Sequence, residues 1–136
     1  MAIVVPDQGL VVLACNALGA SGGRALGGLL IDLYSNNYQP DHTTTLANFV
    51  LPTFDGYGQA FVSISNMVAT LIPGAEVTLI NGQNPVNWVN SGFNTIVYGY
   101  LVRDGSGSTV LWCEYWGPVN LNYKCTLSFN LELDVS

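Results

Sequence analysis

The sequence predicts a mainly β protein, a single-domain antiparallel β-sandwich of jelly-roll-like type with a short N-terminal helix. Three observations carry that expectation. Short apolar segments recur from residue 29 onward, separated by turns rich in Gly, Asn and Pro. Near the end of the chain Tyr123, Cys125, Leu127, Phe129, Leu131, Leu133 and Val135 alternate with Lys124, Thr126, Ser128, Asn130, Glu132 and Asp134, a period of two that no helix has. A length of 136 residues suits one domain with one core. Residues 1–28 then form an N-terminal segment, a short helix and a Gly-rich connection within the same domain, and residues 29–136 form the sandwich.

Residues 6–18 read as the helix, because Pro6 suits its first turn, Asp7 favours the positive end of its dipole and Gly19 can end it. Leu10, Val11, Val12, Leu13, Ala14, Ala17 and Leu18 surround most of it, which predicts burial on nearly all sides, one face against its own sheet and another against a neighbour. Residues 19–28 are a glycine-rich turn region. Residues 30–35 form a strand ended by Asn36-Asn37 and Pro40, and 41–54 an irregular stretch with one helical turn around residues 46–49. Ala60, Val62 and Ile64 share one face of a strand over residues 58–65, with Phe61 on the other. Residues 67–72 and 75–80 flank the turn Pro73-Gly74, and Asn81-Gly82 marks another turn. Trp88 falls in a loop. Residues 95–103 carry Ile96, Tyr98, Tyr100 and Val102 on one side, and Asp104-Gly105-Ser106-Gly107 closes a hairpin into residues 109–116. A last strand of thirteen residues would reach roughly 43 Å at about 3.3 Å per residue, so it must bend at a bulge or pair with another copy.

Composition narrows the function. Only 9% of residues are charged, against about 25% in an average domain, so the surface is built from Asn, Ser, Thr, Gly and uncovered apolar area. Such a surface repels copies of itself weakly, which points to oligomerisation or permanent docking. Three cations against nine acids give a net charge of −6, too few cations for a nucleic-acid site or an anionic membrane surface. No segment approaches the roughly 20 apolar residues that span a bilayer. Val12-Leu13-Ala14-Cys15 is spaced like a lipoprotein cleavage box, yet the basic region that opens a secretory signal does not precede it.

Neither catalysis nor cofactor binding is expected. The one histidine, His42, sits in an Asp-His-Thr turn without a second histidine for a metal, and no Cys-x-x-Cys spacing exists. Cys15, Cys113 and Cys125 read as reduced thiols, with a Cys113–Cys125 disulfide left open if their segments pair as a hairpin. Glu132 and Asp134 lie on the polar side of one strand and lack the opposed geometry of a glycosidase pair. Trp112 and Trp116 share a face with Glu114, and Cys113 shares the other with Tyr115. If Cys113 and Tyr115 face the core, the two tryptophans point outward and, with Trp88, could stack on a glycan or anchor a protein contact; if both faces are buried, the rings are core.

The order of short features resembles a family of small tailed-phage virion proteins of the capsid cement or decoration type. The matching pieces are Val4-Val5-Pro6-Asp7-Gln8-Gly9 before a short helix, Leu33-Tyr34-Ser35-Asn36-Asn37-Tyr38-Gln39-Pro40, Thr45-Leu46-Ala47-Asn48-Phe49, Thr53-Phe54-Asp55-Gly56-Tyr57, Val97-Tyr98-Gly99-Tyr100-Leu101-Val102 and Leu111-Trp112-Cys113-Glu114. Residues 66–93 match nothing in it, Cys113 stands where a small residue is expected, and residues 19–28 are unusually rich in glycine. The resemblance implies a non-enzymatic virion protein, made in the host cytoplasm and placed on the outer capsid surface. Its partners would be the major capsid protein and further copies of itself, a trimer by analogy. Ile3, Val4, Val5, Leu10 and Leu13 are the expected assembly contacts. A glycan- or receptor-binding module using Trp88, Trp112 or Trp116, and a tail component, are the alternatives.

Overall fold

The computed structural model describes residues 3–18, 28–63, 67–72, 76–81, 85–105 and 107–135. The elements in chain order are β1 (Ile3–Val4), α1 (Asp7–Leu18), β2 (Gly28–Tyr34), a 3-10 turn (Leu46–Asn48), β3 (Ala60–Ser63), β4 (Met67–Ile72), β5 (Glu76–Asn81), β6 (Val86–Val89), β7 (Thr95–Asp104), β8 (Val110–Leu121), β9 (Thr126–Phe129) and β10 (Glu132–Val135). The main sheet has the order β1-β8-β7-β2-β3. A three-stranded ladder, β10-β5-β4, and a two-stranded one, β6-β9, complete the set, and all pairings are antiparallel. The protein is an antiparallel β-sandwich with a short N-terminal helix.

The main sheet is covered on both faces. Leu29, Ile31 and Leu33 of β2, Val97, Tyr100 and Val102 of β7, and Leu111 and Trp112 of β8 pack with Val86 and Trp88 of β6 and with Leu131 and Leu133 into one core. On the opposite face Tyr34, Leu101, Val110 and Cys113 form a second core with Phe49, closed by Tyr38, Leu46 and Leu51 from the irregular stretch after β2. That stretch, with its predicted helical turn, therefore serves as a lid of the sheet.

The faces of β7 depart from simple alternation. Tyr100 and Val102 lie in the first core, but Ile96 is exposed and Tyr98 packs against the second. The pairing with β8 slips between Val97 and Gly99, and one extra residue in a strand turns every later side chain to the other face. Gly99 is needed at this point. A methyl group there would overlap the Glu114 carbonyl oxygen and crowd the Tyr34 ring, whose hydroxyl crosses the strand to lie 3.4 Å from that same oxygen and 3.2 Å from the Tyr38 carbonyl.

The N-terminal segment is built into the fold. Ile3 and Val4 pair with Glu114 and Cys113 on β8, with Ile3 and Val5 half-buried against the first core and Val4 against the second. Past this short pairing, α1 covers the β8 edge. Gly9 meets the carbonyl oxygens of Val110 and Leu111 so closely that no side chain would fit. Val12 packs against the core, whereas Leu10 and Val11 are 56% and 62% exposed, so the described part of the helix is buried on one side and open on another. The Leu13 side chain lies outside the described residues, as do residues 19–27 of the Gly-rich connection and the turns at 73–75 and 82–84.

The terminal strand is not continuous. It breaks at Asn130 and Leu131, so that β9 pairs with β6 while β10 pairs with β5. The inward alternation of Leu127, Phe129, Leu131 and Leu133 survives the break, but Tyr123 and Cys125 lie exposed in the turn before it. β8 is flanked by β1 and β7, so Cys113 and Cys125 are not hairpin neighbours and both are free thiols. Trp88 lies on strand β6 and not in a loop, with its indole N–H donating to the Gly58 carbonyl at 2.6 Å.

A buried ion pair ties β2 to β7. Asp32 accepts from Nε of Arg103 at 3.0 Å and from its Nη2, from the Tyr57 hydroxyl at 2.7 Å and from the Gln59 amide at 3.0 Å, while Arg103 Nη1 also donates to the Gly107 carbonyl at 3.0 Å. Asp32 is wholly buried and Arg103 nearly so, so removing one partner leaves a charge uncompensated. Arg103→Met is expected to cost about 3–5 kcal/mol in urea unfolding followed by tryptophan fluorescence. Adding Asp32→Asn should restore at least half of that loss, and a double variant no more stable than the single would show that the charge is not what binds the two strands.

Candidate functional site

Among the described residues, Cys113, three tyrosines, His42 and Asp41 are the groups whose surroundings bear on chemistry. Burial pushes the Cys113 thiol up to about 12, away from the thiolate a nucleophile needs. Tyr34, Tyr57 and Tyr100 are raised well above the ordinary tyrosine value, first by burial, then by nearby charge or hydrogen bonding: the Asp32 carboxylate accepting from Tyr57, and Glu114 beside Tyr100. His42 Nδ1 lies 3.3 Å from the Asp7 carboxylate, both exposed, and its carbonyl accepts the Asp7 N–H at 2.8 Å, so it anchors the start of α1 to the second-core lid. Thr43 donates to Asp41 from its hydroxyl at 2.6 Å and from its N–H at 2.8 Å, lowering that carboxyl. Among the described residues no three His, Cys, Asp or Glu side chains gather to hold a metal ion.

The three tryptophans are not exposed contacts. Trp88 and Trp112 are 3% and 2% exposed, and Trp116 is half-buried with Tyr100 at 5.5 Å and Phe129 at 5.3 Å between ring centres. The assignment of Trp112 and Trp116 to one face of β8 and Cys113 and Tyr115 to the other holds, but both faces are covered, so neither pair looks outward. Of the expected assembly residues, Ile3, Val4 and Val5 are shared with the cores and Leu10 is the member that stands most exposed among the described residues.

One exposed surface among the described residues was not anticipated from the sequence. The loop joining β6 to β7 presents Phe93 at 96% exposure, beside the half-exposed Tyr123 of the β8–β9 turn. Phe93, Tyr123, Asp55, Gly92 and Asn94 line a shallow cavity of about 670 Å³. A second depression of about 240 Å³ shares Asp55, Phe93 and Asn94 and adds Thr53, Phe54 and Thr95, so the two hollows adjoin along those three residues, of which Phe93 is the one aromatic.

Hydrogen bonds from three chain segments hold this tip. Asn90 is fully buried, and its side-chain NH₂ donates to the Phe93 and Leu121 carbonyls at 2.8 Å each, while its oxygen accepts the Gly92 N–H at 2.9 Å. The Asn90 backbone pairs with Cys125 and Lys124 at 3.0 and 2.7 Å, and this fixes Lys124 in the left-handed region at φ 64°. Ser91 N–H donates to the Asp55 carbonyl at 2.8 Å, and Tyr123 N–H donates to Asn94 Oδ1 at 3.1 Å. Lys124 Nζ sits 5.2 Å from the centre of the Tyr123 ring. What the tip offers is two aromatic side chains, a carboxylate and an amide on a braced frame.

The fold and this tip define a small antiparallel β-sandwich that displays a braced aromatic loop. No family model, curated protein or solved structure matches the chain.

Cys113 and the three buried tyrosines together predict alkaline sensitivity. Each holds its proton in the folded state above the ordinary value, 9.0 for the thiol and 10.0 for the phenols, at which the unfolded chain releases it. The contribution is therefore whole below the unfolded values and declines as pH rises from 9.0 upward through the raised folded values, about 12 for the thiol and higher than the ordinary 10.0 for the phenols. Stability in urea should fall over that range, and absorbance near 295 nm (tyrosinate) should show Tyr34, Tyr57 and Tyr100 ionising only as the protein unfolds. Reversible titration of all seven phenols in the folded protein would contradict this.

Proposed function

We propose that this protein is a structural virion component, a cement or decoration protein that binds the outer surface of a phage capsid as a homo-oligomer and braces the shell. The observation that carries the reading is the exposure of apolar side chains on a surface nearly without charge: Leu10 and Val11 on α1, Phe93 at the tip, in a chain with 9% charged residues. Side chains of this kind gain by meeting a partner, at about 25 cal/mol per Å² removed from water. The resemblance of its short segments to virion proteins supports the location. A tail component would use the same surfaces, and imaging of the particle separates the two. The glycan-binding alternative built on Trp88, Trp112 and Trp116 loses its platform, since two of those rings are buried and the third is half-covered.

The test is binding of the purified full-length protein to heads assembled without it, read by co-sedimentation and by imaging. The wild type is expected at regular positions on the shell. The Leu10→Asp/Val11→Asp variant changes only exposed side chains and should keep its melting temperature within a few degrees, since surface substitutions usually shift stability by about 0.5 kcal/mol or less. Its occupancy should nevertheless fall at least about tenfold, the equivalent of 1.4 kcal/mol of lost contact. A wild type that stays in the supernatant, or a variant that decorates equally, defeats the proposal.

A further inference from the structure

We propose that the Phe93 tip is a binding site for a neutral carbohydrate, an oligosaccharide of two or more rings laid along Phe93 through the two adjoining hollows.

The dimensions come first. Small-molecule sites commonly enclose about 300–1,000 Å³ and pair apolar walls with a few placed polar groups. The larger hollow, about 670 Å³, falls in that range and is walled by Phe93 and Tyr123, with Asp55 and Asn94 as its polar groups. The smaller shares Asp55, Phe93 and Asn94. A ligand longer than one ring would thus meet the same carboxylate and amide from both hollows.

The chemistry selects among ligands. Aromatic faces stack on the C–H faces of sugar rings, while a carboxylate and an amide accept from and donate to the hydroxyls at the ring edge. Among the described residues the Asp55 carboxylate and the Asn94 NH₂ make no hydrogen bond, so both are free to do this. A cationic ligand would be drawn to aromatic rings beside an acid, but Lys124 already occupies a place over Tyr123 and opposes a second cation. An anion would meet Asp55. Acid and base cancel, which leaves a neutral, hydroxyl-rich molecule as the best fit.

The frame supplies what a shallow site needs most. The network around Asn90, the Ser91–Asp55 bond and the Tyr123–Asn94 bond fix the loop before any ligand arrives, so little conformational freedom is lost on binding. The open shape still limits affinity to the order of millimolar. This inference does not depend on where the protein sits, and it can fail while the virion reading stands.

The experiment titrates the ¹⁵N-labelled full-length protein with maltotriose, cellotriose and chitotriose, with the matching monosaccharides and with tetramethylammonium chloride, following backbone amides. At least one trisaccharide should shift the amides of residues 91–94 and 123–125, and its monosaccharide should bind at least about fivefold more weakly. Phe93→Ala and Asp55→Ala, both at exposed positions, should each weaken binding about tenfold or more while leaving the remaining spectrum in place. The proposal is overturned if no sugar moves these amides at about 20 mM, twenty times a millimolar dissociation constant, if tetramethylammonium binds more tightly than every sugar, or if the two variants bind like the wild type. It is equally overturned if Phe93→Ala abolishes attachment to a protein shell while no sugar perturbs the tip, because Phe93 would then be a protein contact.

Discussion

Coverage of the five-stranded sheet on both faces is the constraint on which the rest of this structure depends. β2, β7 and β8 run through its middle with apolar side chains on each side, and a strand buried on both faces reads as an almost continuous hydrophobic run. Two covers are then required from a short chain. β6, β9 and the segment leading into β10 supply one; the irregular stretch around Phe49 supplies the other. The 3-10 turn, the Tyr34–Phe49 and Tyr38–Phe49 ring contacts at 4.8 and 5.5 Å and the Asn36 bonds to Asn48 and Val50 are the means by which a stretch without strands is held flat against a sheet.

The same constraint governs the polar residues inside. Asp32, Thr44, Asn90 and Asp104 are each buried, and burying a polar group is tolerated only where its hydrogen bonds are replaced. Asp32 is met by Arg103, Tyr57 and Gln59. Thr44 Oγ1 accepts the Asp41 N–H at 2.8 Å and lies 2.9 Å from the Tyr38 hydroxyl, and Asp104 accepts from the Ser108 and Thr109 N–H groups that turn the β7–β8 hairpin. Each of these residues stands where a loop must be joined to the sheet. Among the described residues Trp112 Nε1 is the exception, buried and without a hydrogen bond of good geometry although the Tyr100 hydroxyl lies beside it. Such a group costs about 1–3 kcal/mol, which the packing of its ring in the first core offsets.

How much of this was legible follows from what alternation can and cannot encode. The positions of β2, β3, β4, β5 and the β7–β8 hairpin, the helix and the turn near residue 46 all follow local pattern and turn chemistry, and they could be read. The break in the final strand could not, because Leu127, Phe129, Leu131 and Leu133 stay inward across it and the pattern does not register a change of partner strand. The bulge at β7 was hidden for a related reason: Val97-Tyr98-Gly99-Tyr100 alternates acceptably in either register, and only pairing with β8 decides. For Trp112 and Trp116 the pattern left outward and core readings both open, because alternation implies one wet face and does not show whether a non-strand segment covers it. At the tip, Phe93 between Gly92 and Asn94 was a readable oddity, a large ring in a turn. Its neighbours Asp55 and Tyr123 come from distant parts of the chain, and topology alone brings them together.

Two of the exposed apolar places, α1 and the Phe93 tip, differ in kind, and the difference bears on what each is for. On α1 the exposure of Leu10 and Val11 follows from helical period: Gly9 must face β8, so its two successors must turn away. Phe93 has no such excuse. A ring 96% exposed adds almost nothing to the burial that stabilises its own fold, yet the loop that carries it is tied down by a fully buried asparagine bonded within the loop and to Leu121, Lys124 and Cys125. Ordering a loop opposes folding by about 1–2 kcal/mol per residue in backbone entropy. Part of that ordering serves the sheet, because Asn90 also closes the end of β8 through the Leu121 carbonyl. The rest fixes the backbone of the loop that presents Phe93 to solvent, the pre-ordering that the proposed sugar site requires.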